Sequence, residues 1–296
     1  MLQDDNLRDW AEYWKTTTSS LHKETDEKRI AKTWNKRWEE HPDKPKKGQN
    51  EEMMNKSVNK TISFLEEAGF LIKGSKVLDI GCGPGTLALP LARMGAEVTA
   101  LDISSKVLER VKEVSQKEGL PVDTAECSWW SAEIDELGFR NMFDLVIASR
   151  TPSINDSVSL ERMMACSRKM CYYSGFLSAR EDSVHREIHK LISGESSGHE
   201  GSTNVHNAYT LFFPFLYLYF KGYRPLVKIN RMNRGRVEIW EAAAERAIDF
   251  FSHDRDPGDE VKEEIRVLYK NASVNGMYPL RPAGCHGMMV WRVNNR

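Results

Sequence analysis

The run Val77-Leu-Asp-Ile-Gly-Cys-Gly-Pro-Gly-Thr86 constrains this chain more than any other segment. Val77 to Ile80 is a short apolar stretch of buried-strand type. It leads into a loop with Gly81, Gly83 and Gly85, and a helical pattern follows from Thr86 to Met94, stopping at Gly95. Glycine reaches positive φ without strain and lets a ligand approach the backbone. The first turn of the following helix offers unpaired N–H groups to a polar ligand. A second strand, Glu97–Leu101, runs into Asp102, whose carboxylate can accept hydrogen bonds from two ribose hydroxyls. The glycine spacing is G-x-G-x-G, not the G-x-G-x-x-G of dinucleotide sites, which argues against a nicotinamide-dependent dehydrogenase. Asp79, just before the first glycine, would repel a pyrophosphate. It suits a cationic amino group such as that of a methionine moiety.

The pattern around this run alternates strand with helix. Ser105–Glu118 reads as an amphipathic helix with Val107, Leu108, Val111 and Val114 on one side. Val122–Glu126 reads as a third strand, Phe143–Ser149 as a fourth, Leu160–Lys169 as a helix and Cys171–Ser178 as a fifth strand. Such alternation predicts a parallel sheet with helices on both faces. Residues 1–70 read as charged helices, the last over Glu51–Ala68. His41–Gly48, with two prolines, reads as a loop. Beyond Ala179 the regularity breaks. Residues 194–207 are rich in Gly, Ser and His and read as a loop. Ala208–Lys221 reads as an aromatic helix kinked at Pro214, Leu226–Asn230 as a strand, Glu238–Phe251 and Asp259–Tyr269 as helices, and Gly287–Val293 as a last strand. Three regions are expected: a helical N-terminal cap over 1–70, a core over 71–182, and helical additions with the last two strands over 183–296.

Composition excludes several classes. Lys plus Arg number 42 against 43 Asp plus Glu, so the chain carries no field that would steer it to nucleic acid or anionic lipid. The five cysteines include no C-x-x-C pair, which argues against a zinc site or a disulfide framework and for a reduced, cytoplasmic setting. MLQDDNLRDW has no basic segment followed by an apolar one, so it does not read as a signal peptide. The most apolar run, Leu211 to Phe220, is too short to span a bilayer.

Taken together, V-L-D-I-G-C-G-P-G-T resembles the first motif of class I S-adenosylmethionine (SAM)-dependent methyltransferases. A-E-V-T-A-L-D-I-S resembles their second, acidic motif, and F-D-L-V-I-A-S their fourth-strand motif. The resemblance covers about residues 74–180 and extends more weakly to A-K-T-W-N-K-R-W near the N-terminus. It implies a Rossmann-like α/β fold: a seven-stranded, mostly parallel sheet with strand seven antiparallel, flanked by helices. It also implies SAM as cofactor and S-adenosylhomocysteine (SAH) as product. Gly81, Cys82, Gly83 and Gly85 would line the methionine and ribose, Asp79 would lie under the amino group, Asp102 would hold the ribose and Ile103 would meet the adenine. Cys127, Ser128 and Trp129 stand where the family places an adenine-contacting loop, although family members often carry Asp where this chain has Glu126. Ser149 and Arg150 would face the reaction centre. Ser149-Arg150-Thr151-Pro152 departs from the N/D-P-P-Y/F of amide and nucleobase N-methyltransferases in the family.

Other candidates have structural alternatives. Trp10 and Trp14, and Trp34 and Trp38, form i, i+4 pairs that each share a helix face. Trp14, Trp34 and Trp38 could cover the cofactor together with His206 and Tyr209, or they could glue helices to the core. Cys82 reads as a small filler and Trp129 as either an adenine stack or core. His185 and His189 lack the Glu of a zincin motif, and no metal is expected. Lys228, Arg231, Arg234 and Arg236 read as a solvated turn, with an RNA footprint as the alternative. The tryptophan-rich N-terminus and the aromatic helix suggest an enclosed apolar pocket, hence a small-molecule acceptor. A methyltransferase acting on RNA or protein, or a SAM-binding protein without turnover, are the competing readings. No catalytic base can be assigned. A monomer or homodimer without a membrane partner is expected.

Overall fold

In the computed structural model, residues 2–19, 27–40, 51–178, 183–193, 210–231, 236–252, 257–280 and 285–294 are described. They fall into two compact units. The first takes Met1–Leu177, Ala208–Ile229 and Gly287–Arg296; the second takes Ser178–Asn207 and Asn230–His286.

The first unit begins with helices α1 (Leu2–Ser19), α2 (Glu27–Glu40) and α3 (Glu51–Glu67). Next come β1 (Lys76–Ile80), α4 (Ala88–Arg93), β2 (Glu97–Asp102), α5 (Ser105–Glu118), β3 (Val122–Glu126), β4 (Phe143–Ser149), α6 (Ser157–Cys166) and β5 (Ser167–Ser178). Helix α8 (Phe212–Phe220), β6 (Leu226–Arg231) and β9 (Cys285–Arg292) complete it. The seven strands lie in the order β3-β2-β1-β4-β5-β9-β6. Strands β1 to β5 pair in parallel. The β9 strand runs the other way. Its start lies against the end of β5, where Gly287 meets Leu177. Just past its end, the Val293 N–H donates to the Lys169 carbonyl near the start of β5 (3.0 Å). This is the seven-stranded, mostly parallel sheet expected from the sequence, with one antiparallel strand.

The alternation of side chains along a strand divides the core into two layers. Leu78, Ile80, Leu101, Val146, Ala148 and Tyr173 point to one face, where α6, α8 and α1 cover them. Val77, Val98, Ala100, Leu145, Ile147 and Tyr172 point to the other, under α3, α4 and α5. At the N-terminal ends of the strands the buried Asp144 carboxylate is held by Arg168 (2.8 and 2.9 Å), Lys169 (2.9 Å) and the Lys76 N–H (3.0 Å). The Arg168 hydrogen bonds hold its pKa well below the usual carboxylate range.

Several sequence expectations need correction. Pro214 does not kink its helix. It is the third residue of α8, in the first turn, where its missing N–H has no intrahelical acceptor to lose. Three helices of this unit begin elsewhere than expected, the aromatic one at Phe212 and not Ala208. The one after the glycine loop starts at Ala88, not Thr86. The one after β4 starts at Ser157 and gives way to β5 at Ser167, because Asp156 and Ser159 close a reciprocal cap at its N-terminus. Lys228 lies in strand β6, not in a turn. The loops read at 41–48 and 194–207 lie outside the described residues.

The second unit holds α7 (Ser183–Ser193), β7 (Arg236–Ile239), α9 (Trp240–Phe251), α10 (Asp259–Asn271) and β8 (Met277–Leu280). Glu238 and Ile239, expected to open a helix, pair antiparallel with Tyr278 and Met277 instead. The unit has its own core of Val184, Ile188, Ala244, Ile265, Tyr269 and Tyr278. The Tyr269 and Tyr278 rings meet edge to face at 4.7 Å.

Candidate cofactor site

The site is built from the C-terminal ends of β1, β2 and β3. Strand β1 leaves in one direction towards β2 and in the other towards β4, so the loop after it opens at the switch point of the sheet, where doubly wound folds bind ligands. All three loop glycines have positive φ: 65° at Gly81, 52° at Gly83 and 76° at Gly85. Two of them are also needed for space. A Cβ at Gly81 would stand 2.2 Å from Thr151 Oγ1, and one at Gly85 would stand 2.9 Å from Leu89 Cγ. The loop is thus pressed against the segment after β4 on one side and against helix packing on the other.

Two acids face this loop. Asp102 closes its edge: Oδ2 accepts the Gly83 N–H at 2.9 Å and Oδ1 the Ser104 N–H at 3.0 Å. Burial raises its pKa, against the opposing pull of the backbone N–H groups of Ser104, Gly83 and Ile103. Each carboxylate oxygen keeps lone-pair capacity for a further donor. Asp79 is 3% exposed. Its carboxyl is pushed up to about 7, chiefly by burial and further by the charge of Asp102, while a hydrogen bond from the Ala88 backbone pulls it down. No cation among the described residues contributes to its shift, and a cation beside it would favour the ionised form. Cys82 is buried between the glycines, and burial followed by the charges of Asp79 and Asp102 raises its thiol well above normal. It is a neutral filler and not a nucleophile.

The loop after β3 completes the rim. The Cys127 N–H donates to the Asp102 carbonyl (3.0 Å). Ser128 Oγ is buried and has no hydrogen-bond partner among the described residues. Trp129 lies in this loop by its backbone only. Its indole is 2% exposed, belongs to the core, and donates to the Ser159 carbonyl at 3.1 Å. At the end of β4, Ser149 Oγ bonds Ser174 Oγ (2.9 Å). Arg150, exposed, has a φ of 52° and its N–H donates to the Ser174 carbonyl (2.9 Å). A non-glycine residue held there stores strain of about 1–2 kcal/mol, as residues at functional sites often do.

The two tryptophan pairs part company. Trp14 is fully buried, stacked on Phe213 at 5.8 Å and against Tyr217, while Trp10 donates to the Phe213 carbonyl (3.0 Å). Trp14 therefore joins α1 to α8 and does not cover the site. Trp10, Trp14, Phe213 and Tyr217 of these helices pack on one another. Trp34 and Trp38 of α2 are half-buried. Trp38 Cζ2 lies 3.8 Å from the Cβ position of Gly83, at the glycine loop. His206 and Tyr209 lie outside the described residues. Lys228 is engaged by Glu67, which removes it from a free basic footprint; the side chains of Arg231, Arg234 and Arg236 lie outside the described residues. Among the described residues no cluster is arranged to hold a metal ion, and no helix is long and apolar enough to cross a membrane.

Sequence reasoning missed Thr151, Ser104 and Asn35. The signal for Ser104 was present, since a serine directly before an amphipathic run is an N-cap, and its hydroxyl accepts from the Val107 N–H. Thr151 and Asn35 matter through partners distant in sequence and left no local signature.

A sheet of this order with a glycine loop after β1 and an acid ending β2 defines a class I, SAM-dependent methyltransferase fold. Comparison with known proteins agrees: residues 77–172 match the family described as "Methyltransferase domain", so the core of this chain is a methyltransferase domain. A ubiquinone biosynthesis O-methyltransferase of Proteus mirabilis is 42% identical over 69 residues, 22% of this chain and 28% of that protein. A ribosomal protein L11 methyltransferase of Thermotoga neapolitana is 30% identical over 135 residues, 44% of this chain and 47% of that protein. The matches span less than half the length of either relative. Among solved structures, magnesium protoporphyrin IX methyltransferase of Synechocystis, with bound SAH, is similar in fold: TM-score 0.50 at 17% identity, over 70% of this chain and 92% of that one.

Proposed function

We propose that this protein binds SAM and transfers its methyl group to a small-molecule acceptor. The observation that carries the reading is the pair of acids at the glycine loop, Asp79 buried and Asp102 half-buried. No cation among the described residues contributes to the shift of Asp79, and Asp102 has its carboxylate oriented by two backbone N–H groups. A ligand with an ammonium at one end and a ribose diol further along answers both, and the orphan Ser128 Oγ can meet the polar edge of its base. When bound, SAM supplies an electrophilic methyl group on sulfur. The chain's residues have the tasks of orientation and water exclusion. Asp79 and Asp102 hold the two ends, Gly81 allows the backbone close approach, and Ser149 and Arg150 at the end of β4 would face the acceptor. In this reading residues 1–70 act as a cap over the core.

The ubiquinone-biosynthesis relative supports a small-molecule acceptor. The longer match to a ribosomal protein L11 methyltransferase favours a protein acceptor as the second reading. Calorimetric titration with SAM and with NAD tests the cofactor: SAM should bind, NAD should not, and Asp102→Ala should lose SAM binding. Methyl-labelled SAM incubated with cell extract separates the acceptors. Label in the low-molecular-weight fraction supports the first reading, and label confined to protein replaces it with the second.

A further inference from the structure

Helix α2 has no buried residue, yet it touches each of the three loops that form the cofactor site. At its start Glu27 accepts a hydrogen bond from Ser131, beyond β3 (2.8 Å). In its middle Asn35 Oδ1 accepts from Ser104 Oγ (2.6 Å) and from the Lys106 N–H (3.3 Å), beyond β2. Near its end Trp38 lies at Gly83, beyond β1. Eleven residues separate Glu27 from Trp38, a rise of about 16 Å along the axis, enough to cross three adjacent strand ends about 5 Å apart. A helix that buries no residue completely, reaches the core only through the half-buried Trp38 and is pinned at these three points is positioned by the loops it crosses.

We propose that α2 is a clamp over the cofactor and that Asn35 is a positioning residue which sets the ribose-binding carboxylate of Asp102 through Ser104. The bonds form a continuous chain. Asn35 Oδ1 accepts the hydrogen bond of the Ser104 hydroxyl, which leaves the Ser104 oxygen free to accept the Val107 N–H and cap α5. The Ser104 backbone N–H donates to Asp102 Oδ1, and Asp102 Oδ2 takes the Gly83 N–H. Fixing Ser104 from above therefore fixes the direction in which Asp102 offers its remaining lone pairs. Asn35 Oδ1 also accepts the Lys106 N–H of α5, so one side chain joins the clamp to α5 directly and to Asp102 through Ser104.

The inference rests on SAM as cofactor, and the test keeps the two apart. Titrate the full chain, Asn35→Ala, Ser104→Ala and the double variant with SAH and with an SAH analogue lacking both ribose hydroxyls, and check by thermal melting that each is folded. Asn35→Ala should weaken SAH about fivefold, the worth of one net hydrogen bond. It should leave the deoxy analogue unchanged, because only the diol reads the direction of Asp102. Ser104→Ala should do the same, and the double variant should be no weaker than either. Hydrogen exchange should show residues 27–40 protected by SAH in the unaltered protein and not in Asn35→Ala. Equal losses for both ligands, or additive losses in the double variant, overturn the role of Asn35. SAH binding without protection of α2 overturns the clamp and leaves the cofactor assignment standing, whereas no SAH binding at all overturns both.

Discussion

Asp79→Asn replaces a carboxyl whose pKa stands near 7 with a neutral group of the same shape. An ordinary aspartate in the unfolded chain ionises near 3.8. Between those two values the folded protein holds a proton that the unfolded chain has released, so stability falls as pH rises through that window and levels above it. Each tenfold change in proton affinity is worth about 1.4 kcal/mol, so the ionised Asp79 carboxyl opposes folding by up to about 4 kcal/mol above neutrality. Asp79→Asn removes that opposition and keeps an oxygen that can accept from the Ala88 backbone. At about pH 8 the variant should be more stable than the unaltered protein by about 2–4 kcal/mol, or roughly 4–8 °C in melting temperature for a chain of this size. At about pH 4, where Asp79 is protonated, the difference should vanish.

Thermal melting of both proteins at the two pH values is the assay, repeated with SAM. A cationic amino group beside Asp79 stabilises its ionised form, so SAM should restore stability to the unaltered protein and do little for the variant. Binding must also expel the Asp79 proton. SAM affinity should therefore rise about tenfold per pH unit below the Asp79 pKa, level above it, and decline once the ligand's own amine deprotonates near about pH 8. 5′-Methylthioadenosine, which lacks the amino-acid end, should show no such dependence. A variant that is less stable at about pH 8, or a gain equal at both pH values, would refute the reasoning.

Three further outcomes follow from the packing. Gly81→Ala brings a Cβ within 2.2 Å of Thr151 Oγ1 at a φ of 65°, and should cost about 2–4 kcal/mol in a denaturant melt along with SAM binding. Trp14→Phe removes an indole N–H that has no partner, so it should change stability by less than about 1.5 kcal/mol and leave SAM affinity alone, whereas Trp14→Ala should cost about 3–5 kcal/mol. Arg168→Ala leaves the buried Asp144 with Lys169 and the Lys76 N–H, and should cost about 1–3 kcal/mol at neutral pH. Because the Asp144 pKa is depressed, the stabilisation exists above the ordinary aspartate range and fades as pH falls below it, so the gap between the two proteins should narrow in acid.

The core of this fold was legible because its signals are local. The five parallel strands, the glycine loop and Asp102 all follow from apolar runs and turn residues within a few positions of one another. The second unit was read poorly for the opposite reason. Arg236–Ile239 makes a strand only because Met277–Leu280, far along the chain, pairs with it, and the helical pattern behind Glu238 concealed that. Pro214 misled through a rule that holds in helix interiors and lapses in the first turn.

The tryptophans show where a pattern stops being informative. Trp10 and Trp14, like Trp34 and Trp38, stand one helical turn apart, and the spacing correctly places each pair on one face. It cannot say what that face meets. The α1 pair finds Phe213 and Tyr217, and its helix becomes core. The α2 helix carries charges between and around its tryptophans and buries nothing completely, so it stays at the rim, held by Glu27, Asn35 and the contact of Trp38 with the glycine loop. A helix so placed can respond to what lies beneath it, because few contacts need to change. The polar contacts of Glu27 and Asn35, added to the Trp38 contact at Gly83, therefore separate the clamp from the glue.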